Sequence, residues 1–209
     1  MLQLVRLSPE YRAQLNELMD EWSVEGDSIV PWAIRKNDYH DFDAYLAGLE
    51  IEKPQDGKVP ATVYFCLDTE RNRFVGAVNI RHYLNDPLMR CGGHIGDGIR
   101  PSMRGRGLGT KMIALALAKC CEMGIERVLM VCDANNPASA HTIRKNGGIL
   151  ENRTDENGEE IERYWIDLTG GGREIVSFTN FYTSMNDDAV TALGNASAYL
   201  RAHPNTDFM

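Results

Sequence analysis

The sequence predicts an α/β (α+β) fold in which helices flank a central sheet. Short apolar segments with the length of strands recur along the first 168 residues, and several alternate apolar with polar residues. Between them, residues such as Leu15, Leu18 and Trp22 recur at helical spacing. A glycine-rich segment at residues 105–109 joins one predicted strand to one predicted helix. Strands and helices therefore intersperse along the chain, which is typical of a layered fold containing both.

Capping and turn residues indicate where these elements begin and end. Pro9 occupies the first position of the first predicted helix, and Asp38 is the predicted N-cap of the second. Gly147 follows the last predicted helix, as glycine often does at a C-terminal cap. Residues 24–37 are a predicted loop. The predicted strands cover residues 2–7, 62–67, 74–81, 93–99, 127–132, 149–153 and 161–168, and the third predicted helix covers residues 107–123.

Length and composition favour one domain followed by an extension. The chain has 209 residues, of which 43% are hydrophobic, enough for a sizeable core. We expect a domain over residues 1–169 and, from three consecutive glycines onward, a C-terminal extension over residues 170–209. A dimerisation arm, a lid over the substrate site and an appendage without function are the open roles for this extension. We favour the first and expect a homodimer.

Charge and cysteine usage exclude several classes of protein. A net charge of −8 and a pI of about 5.1 oppose nucleic-acid binding, which needs a basic face. Five cysteines without a C-x-x-C pair are expected to be reduced thiols in a cytoplasmic protein. The sequence has no apolar run of membrane-spanning length, no signal-peptide pattern and no metal-ligand spacing. We therefore expect neither a membrane partner nor a bound metal.

The segment Arg104-Gly105-Arg106-Gly107-Leu108-Gly109 is the most informative part of the chain. Its glycines permit close approach of the backbone, and amides exposed at the start of a helix favour an anion. We therefore expect the amides of residues 106–110 to hold a pyrophosphate. The motif matches neither the P-loop nor the dinucleotide-binding pattern. The alternative is a glycine-rich turn with solvated arginines.

Further residues around this motif make the chain resemble the GNAT superfamily of acyl-CoA-dependent N-acyltransferases. They are residues 95–101 on the preceding strand, Asn136 and Ser139 after the next strand, and residues 145–148. The resemblance implies a mixed, mostly antiparallel sheet, splayed between its fourth and fifth strands, with acetyl-CoA bound in the splay. It also implies an N-acetyltransferase that moves the acetyl group to a primary amine.

Most of the candidate site residues are cofactor-binding residues implied by this resemblance. The pantetheine arm of the cofactor would pair with the strand near Ile99, and the glycine loop would hold the pyrophosphate. Asn136 and Ser139 would contact the pantetheine or the phosphates, with helix capping as the alternative for both. The full set is Ile99, Arg100, Arg104, Gly105, Arg106, Gly107, Leu108, Gly109, Thr110, Asn136 and Ser139.

Two residues of the motif strand are candidates for catalysis. His94 stands where many relatives carry a glutamate base, and imidazole titrates near neutral pH; a buried histidine bonded to the backbone is the alternative. Asp97 is a second candidate base or an anchor for a cationic amine, unless it faces a helix layer, where it needs a partner. Ile143 replaces the tyrosine acid of many relatives. Water, Ser139 and Tyr164 are therefore the candidate proton donors.

The loop at residues 24–37 and the second helix are expected to line the acceptor groove. Apolar walls and negative charge there are supplied by Trp22, Trp32, Tyr39, Glu25, Asp27, Asp38 and Asp41. An amine on a small molecule, an amino acid or a peptide would fit such a groove. Two other functions stay open. One is a non-catalytic CoA-binding or sensing module, suggested by Ile143, and the other is an acyltransferase that uses another acyl-CoA.

Overall fold

Two antiparallel sheets form the framework of the protein. The computed structural model describes residues 1–26, 28–156 and 158–169, so the predicted extension at 170–209 lies outside the described residues. The strands are β1 (Leu2–Val5), β2 (Ala61–Asp68), β3 (Arg73–Arg81), β4 (Ile95–Ile99), β5 (Arg127–Asp133), β6 (Ile149–Glu156) and β7 (Glu159–Asp167). The first sheet has the order β1-β2-β3-β4 and the second the order β5-β7-β6. Every strand predicted before residue 169 is present, within a few residues of its expected bounds.

Helices cover both faces of the first sheet. In the described part of the chain they are α1 (Arg12–Glu25), α2 (Trp32–Arg35), α3 (Phe42–Leu49), α4 (Leu108–Glu122) and α5 (Pro137–Lys145). A 3₁₀ turn at Pro9–Tyr11 precedes α1, so Pro9 begins this turn and not the α-helix itself. The predicted loop at residues 24–37 is partly helical, because α1 extends into it and α2 lies within it.

The helix α3 begins later than the sequence predicted. Asp41, not Asp38, is the N-cap of α3, and its carboxylate accepts a hydrogen bond from the Ala44 amide at 3.2 Å. Asp38 instead accepts from the His40 amide at 3.0 Å. Both aspartates can bond an amide further along the chain, so the local sequence offers two equivalent caps. A π-helix at Leu88–Gly92 also lies where the sequence indicated only a turn.

The two sheets meet where β4 begins. The His94 amide donates to the Leu129 carbonyl at 2.7 Å, and the Leu129 amide donates to Nδ1 of the His94 ring at 2.9 Å. Gly93 has a φ of 63°, and a Cβ there would lie 2.6 Å from the Leu129 carbonyl oxygen, so only glycine fits. Beyond this junction β4 and β5 belong to separate sheets. The predicted splay between the fourth and fifth strands is therefore confirmed.

Each face of the first sheet has its own apolar cluster. One cluster packs against α4 and α5 and contains Val78 and Ile113. The other packs against α1, α2 and α3 and contains Trp22 and Phe65. Because side chains alternate along a strand, odd-numbered residues of β4 such as Ile95 face α4, and even-numbered ones face α1. The two faces of β4 therefore contribute to different environments.

A buried ion pair joins α1 to the end of β4. The Arg100 side chain is 1% exposed, and its Nε donates to the Glu21 carboxylate at 2.9 Å. The other oxygen of Glu21 accepts from the Ser102 amide at 3.0 Å, and Arg100 Nη1 donates to the Phe74 carbonyl at 3.0 Å. Burial raises the pKa of Glu21, but the hydrogen bonds from Arg100 and Ser102 outweigh it and lower that pKa to about 2. This ion pair therefore holds the segment between β4 and the glycine loop against α1.

We predict that Glu21→Gln lowers the free energy of unfolding by about 3 kcal/mol, because it leaves the Arg100 guanidinium buried without its main counter-ion. Urea denaturation at pH 7 measures the loss. The matched control is Glu17→Gln on the same helix. Glu17 lies 3.5 Å from Arg100 but is about half-exposed, so its loss should stay below about 1 kcal/mol. Equal losses in the two variants would contradict the importance of the buried pair.

Acid should remove the stabilisation that the ion pair between Glu21 and Arg100 provides. The pKa of Glu21 is lower in the folded protein than in the unfolded chain, so its contribution is present above about pH 4.5 and is lost as the pH falls towards 2. The free energy of unfolding of Glu21→Gln should therefore fall less steeply over this range than that of the wild type.

Candidate active site

The glycine loop between β4 and α4 has the geometry of an anion site. Gly105 and Gly107 have φ values of 72° and 71°, which glycine adopts without strain. Gly107 is the N-cap of α4, and no described side chain caps this end of the helix. The amides of Leu108, Gly109 and Thr110 therefore have no partner within the helix, and the helix dipole adds positive potential there. This geometry suits the pyrophosphate expected from the sequence.

Open space lies over this loop. A Cβ on Gly105 or Gly107 would meet no described atom within 4 Å. A Cβ on Gly109 would instead be in contact with Ile99 Cγ1 at 3.6 Å and Thr142 Oγ1 at 3.7 Å, so Gly109 packs between β4 and α5. The loop therefore has room for phosphates.

The two arginines of the loop itself are on the protein surface. Arg104 Nε donates to the Ile99 carbonyl at 3.1 Å, and its guanidinium lies 5.6 Å from the centre of the Trp22 ring. Arg106 is exposed between the two glycines. Arg104 therefore braces the end of β4 against α1, and Arg106 adds positive charge beside the exposed amides.

Arg100 does not share this environment. Its side chain is buried against Glu21, and its amide donates to the Val75 carbonyl at 3.0 Å. The charge and the amide of Arg100 are therefore both used within the protein, and a cofactor-binding role for Arg100 stays a prediction. Position along the motif could not show that the side chain turns towards α1.

Asn136 and Ser139 form the N-terminal cap of α5. The side-chain oxygen of Asn136 accepts a hydrogen bond from the Ser139 amide at 3.0 Å. The capping alternative is therefore present, and it leaves the Ser139 side chain partly exposed on the first turn. Ser139 also lies beside Cys132, and burial raises the pKa of that thiol to about 11. Cys132 is therefore a protonated thiol at neutral pH and a poor nucleophile.

Asp97 is a carboxylate without a hydrogen-bond or ion-pair partner among the described residues. It stands in the middle of β4 opposite Val78, on the face that packs against α4, so Asp97 faces a helix layer and lacks, among the described residues, the partner expected there from the sequence. Burial raises the pKa of Asp97 to about 6. Neither a hydrogen bond nor a cation offsets the cost of its charge, which is unusual for a structural carboxylate. A raised pKa in such a position is typical of a functional group.

His94 lies at the junction of the two sheets and is 7% exposed. Its Nδ1 accepts from the Leu129 amide, so the proton of the neutral ring is on Nε2 and the basic lone pair is already used. Burial, and then the charge of Arg81, lower the pKa of His94 to about 4. A general base needs a free lone pair and a pKa near the working pH. The geometry therefore favours the structural alternative for His94, and its role as a base stays a prediction.

Tyr164 is buried in a polar cluster with Glu162 and Arg144. Its hydroxyl donates to the Glu162 carboxylate and accepts from Arg144 Nη2 at 2.5 Å. Burial and Glu162 raise the pKa of Tyr164 to about 12. Its proton is therefore held internally, which favours Ser139 or water as the donor to a leaving thiolate. Ile143 is fully buried in the cluster that packs against α4, so the position of the missing tyrosine faces the core.

The surface expected to hold the acceptor carries more positive charge than the sequence suggested. Asp38 bonds within its own turn, and Asp41 caps α3. Trp32 is 47% exposed, and Lys36 Nζ and Lys58 Nζ lie 5.9 Å and 4.9 Å from the centre of its ring. The two aspartates therefore have local structural roles, while two cations converge on the exposed indole.

Sequence reasoning missed two charged residues that the structure brings to the site. Glu21 anchors Arg100, and Arg81 donates from Nη1 to the carbonyls of Gly92 and Gly93 at 2.8 Å and 2.9 Å. Each is a single charged residue in an otherwise ordinary helix or strand. No spacing marks such a residue, because its importance depends on partners distant in the chain.

Metal, membrane and disulfide features are absent from the described residues. No group of three or more histidine, cysteine or carboxylate side chains could hold a metal ion in this part of the chain. No helix within it is long and apolar enough to cross a membrane. The five cysteines are free, and Cys66, Cys120 and Cys132 are buried.

The splayed sheets, the glycine loop and the order of the elements are shared with known proteins. A family profile described as an acetyltransferase (GNAT) domain matches residues 2–149. The chain belongs to the GNAT acetyltransferase family. Membership makes acetyl-CoA the co-substrate of this acetyltransferase, and the open space over the glycine loop fits such a molecule. The comparison with curated proteins gave no match.

Solved structures of acetyltransferases share the fold at low sequence identity. The ribosomal-protein alpha-N-acetyltransferase RimL, in complex with coenzyme A, is 19% identical with a TM-score of 0.58, over 80% of this chain and 94% of that chain. The microcin self-immunity acetyltransferase MccE, in complex with acetyl-CoA and AMP, is 18% identical with a TM-score of 0.57, over 79% and 92%. The spermidine/spermine N-acetyltransferase SpeG from Vibrio cholerae is 16% identical with a TM-score of 0.55, over 83% and 98%.

We predict that Gly107→Leu weakens acetyl-CoA binding at least about tenfold, or about 1.4 kcal/mol. The new side chain would strain the left-handed backbone and enter the open space over the loop. Gly109→Leu, whose side chain would press against Ile99 and Thr142 in the first turn of α4, should have a similar effect. Calorimetric titration with acetyl-CoA measures both affinities.

Gly124→Leu is the matched control for this test. Gly124 lies just beyond the C-terminal end of α4, has a φ of 76°, and is also surrounded by open space. A leucine at this position therefore imposes the same backbone strain next to the same helix without approaching the glycine loop. Wild-type affinity in Gly107→Leu and Gly109→Leu would show that the loop does not bind the pyrophosphate.

We predict that His94→Ala lowers the free energy of unfolding by about 2 kcal/mol, because the Leu129 amide loses its acceptor at the junction. His94→Asn places an amide oxygen near the former position of Nδ1 and should restore part of the loss. Chemical denaturation measures both variants, and kinetics separate the two roles of His94. If His94 is structural, kcat/KM of the asparagine variant stays within about tenfold of wild type; loss of a general base costs about 10² to 10⁴.

Proposed function

We propose that the protein is an N-acetyltransferase that moves the acetyl group of acetyl-CoA to a primary amine of a small molecule, an amino acid or a peptide. The observation that carries the proposal is the unpaired Asp97 carboxylate, whose burial raises its pKa to about 6. It lies on β4, the strand that borders the splay and leads into the glycine loop. The amine acceptors of SpeG, a spermidine/spermine N-acetyltransferase, and of the alpha-N-acetyltransferase RimL support this choice.

Asp97 is the proposed base. Above about pH 6 its ionised carboxylate takes one proton from the amine as the amine nitrogen forms a bond to the thioester carbonyl carbon. Acetyl-CoA supplies the activated carbonyl, and the carbon–sulfur bond breaks to release a thiolate. Ser139 or water gives that thiolate its proton. The glycine loop positions the co-substrate, so the reacting groups meet in a fixed geometry.

A CoA-binding protein without catalysis is the second candidate. The specific observation in its favour is Ile143, an apolar residue buried where many relatives carry a tyrosine acid. Such a protein would bind acetyl-CoA but release no thiol with any amine. A panel of acyl-CoA esters would separate an acetyltransferase from an enzyme that uses another acyl donor.

We predict that Asp97→Asn lowers kcat/KM for the amine by about 10² to 10⁴, in the range of a lost general base, and leaves acetyl-CoA affinity unchanged. Thiol release in the presence of amines measures the rate. In the wild type, the contribution of the base should rise with pH through about 6 and then level off, because only ionised Asp97 accepts a proton. Asp97→Asn should lack this step. A wild-type rate for this variant would refute the base role.

The Asp97→Asn variant should be more stable than the wild type at neutral pH although it is slower. The pKa of Asp97 is higher in the folded protein than in the unfolded chain, so its ionisation above about pH 6 disfavours folding. Asp97→Asn should therefore raise the free energy of unfolding at pH 7 by about 1–3 kcal/mol. The gain should vanish below about pH 4, where Asp97 is protonated in both states. A variant that is slow and less stable at pH 7 would indicate structural damage.

A further inference from the structure

An arginine without a counter-ion lies at the end of β3, on the face of the sheet opposite Asp97. Arg81 Nη1 donates to the carbonyls of Gly92 and Gly93. Among the described residues no carboxylate forms an ion pair with Arg81, and no group accepts from its Nε or Nη2. Burial lowers the pKa of this guanidinium. A partly buried cation with unused donors is costly to the fold alone and suits an anionic ligand.

Asn79 adds a second unsatisfied polar group beside it. Asn79 lies two residues before Arg81 on the same face of β3 and is 8% exposed. Its Oδ1 is buried and has no hydrogen-bond donor among the described residues. Buried oxygens of this kind are rare in folded proteins unless a ligand or water reaches them. The two residues therefore offer an N–H fork and an oxygen acceptor side by side.

A glycine opens the space in front of these groups. Gly96 on β4 stands opposite Asn79, and a Cβ on it would lie 3.8 Å from Arg81 Nη2 and 3.4 Å from Pro31 Cβ. The absence of a side chain at Gly96 therefore leaves a shallow recess, no deeper than a methyl group, between Arg81 and Pro31. The neighbouring residue Asp97 points to the other face of the strand.

The mouth of this recess is cationic. Trp32 directly follows Pro31, and Lys36 and Lys58 both approach its exposed ring. Burial, and then the charge of Lys58, lower the pKa of Lys36, so the two cations lie close enough to repel each other. Together with Arg81 they attract an anion and repel a polyamine.

We propose that Arg81 binds a carboxylate of the acceptor, so that the acceptor is an amine that also carries a carboxylate, such as an amino acid. The inference rests on the proposed acetyl transfer and specifies its substrate class. The carboxylate would pair with the guanidinium beside Gly96. Lys36 and Lys58 would draw the acceptor in beside Trp32.

The test compares amino acids with the amines formed by removing their carboxylate. Thiol release from acetyl-CoA is measured for phenylalanine against phenethylamine, tryptophan against tryptamine, and lysine against cadaverine. The wild type should show kcat/KM at least about tenfold higher for the carboxylated member of the preferred pair. Arg81→Met should reduce this ratio at least about tenfold, and Arg81→Lys should reduce it less. A ratio within one preparation cancels any loss of folded protein.

Arg71→Met is the matched control. Arg71 is an exposed arginine that pairs with Asp68, and it lies just before β3, at the end of the strand away from Arg81. In this variant the ratio of kcat/KM for the amino acid to kcat/KM for its decarboxylated amine should equal that of the wild type. Equal rates for both members of every pair, or faster rates for the decarboxylated amines, would overturn the inference and leave acetyl transfer intact.

If no amine is acetylated while acetyl-CoA still binds, the proposed catalysis fails and binding decides the inference. Calorimetry of the CoA-loaded protein then compares N-acetylphenylalanine with N-acetylphenethylamine. Binding of the first alone, lost in Arg81→Met, would support the carboxylate site. Absence of binding by either compound would overturn it.

Discussion

The junction between His94 and Leu129 is the constraint on which the architecture depends. Two hydrogen bonds at one residue pair join the sheets where β4 begins, and Gly93 allows the strands to approach there. Past this point the strands separate, so their facing edges lose the backbone partners that a continuous sheet would give them. A co-substrate with amide groups can supply such partners. The junction therefore sets the architecture and also leaves the strand edges at which we expect the co-substrate to bind.

Burial has opposite consequences for the charged groups around this junction. It raises the pKa of Asp97 and lowers that of His94, since both are driven towards their neutral forms. Glu21 compensates the charge of the buried Arg100, and the pair stabilises the entry to the glycine loop. Asp97 and Arg81 have no such compensation among the described residues. Compensated charges here support the loop, and uncompensated ones flank the proposed acceptor site.

Local patterns predicted the strands, the long helix α4 and the glycine loop. Positive φ values at Gly105 and Gly107 follow from glycine chemistry, and an anion-binding helix start follows from the backbone. Local patterns are insufficient where neighbours in space decide the outcome. Asp38 and Asp41 could both cap α3, and Asp41 is the residue that does so. Arg100 belongs to the cofactor motif in sequence, yet its side chain turns to Glu21, 79 positions away in the chain.

The sequence by itself determined the family and the order of elements and predicted the place of the phosphate site, because these depend on short-range periodicity and on glycine. It could not choose between His94 and Asp97. Only the tertiary structure shows that the Leu129 amide occupies the His94 lone pair while Asp97 has no described partner. It also brings Arg81, Asn79 and Gly96 together from two strands. Burial and partner choice depend on contacts distant along the chain, which no local pattern encodes.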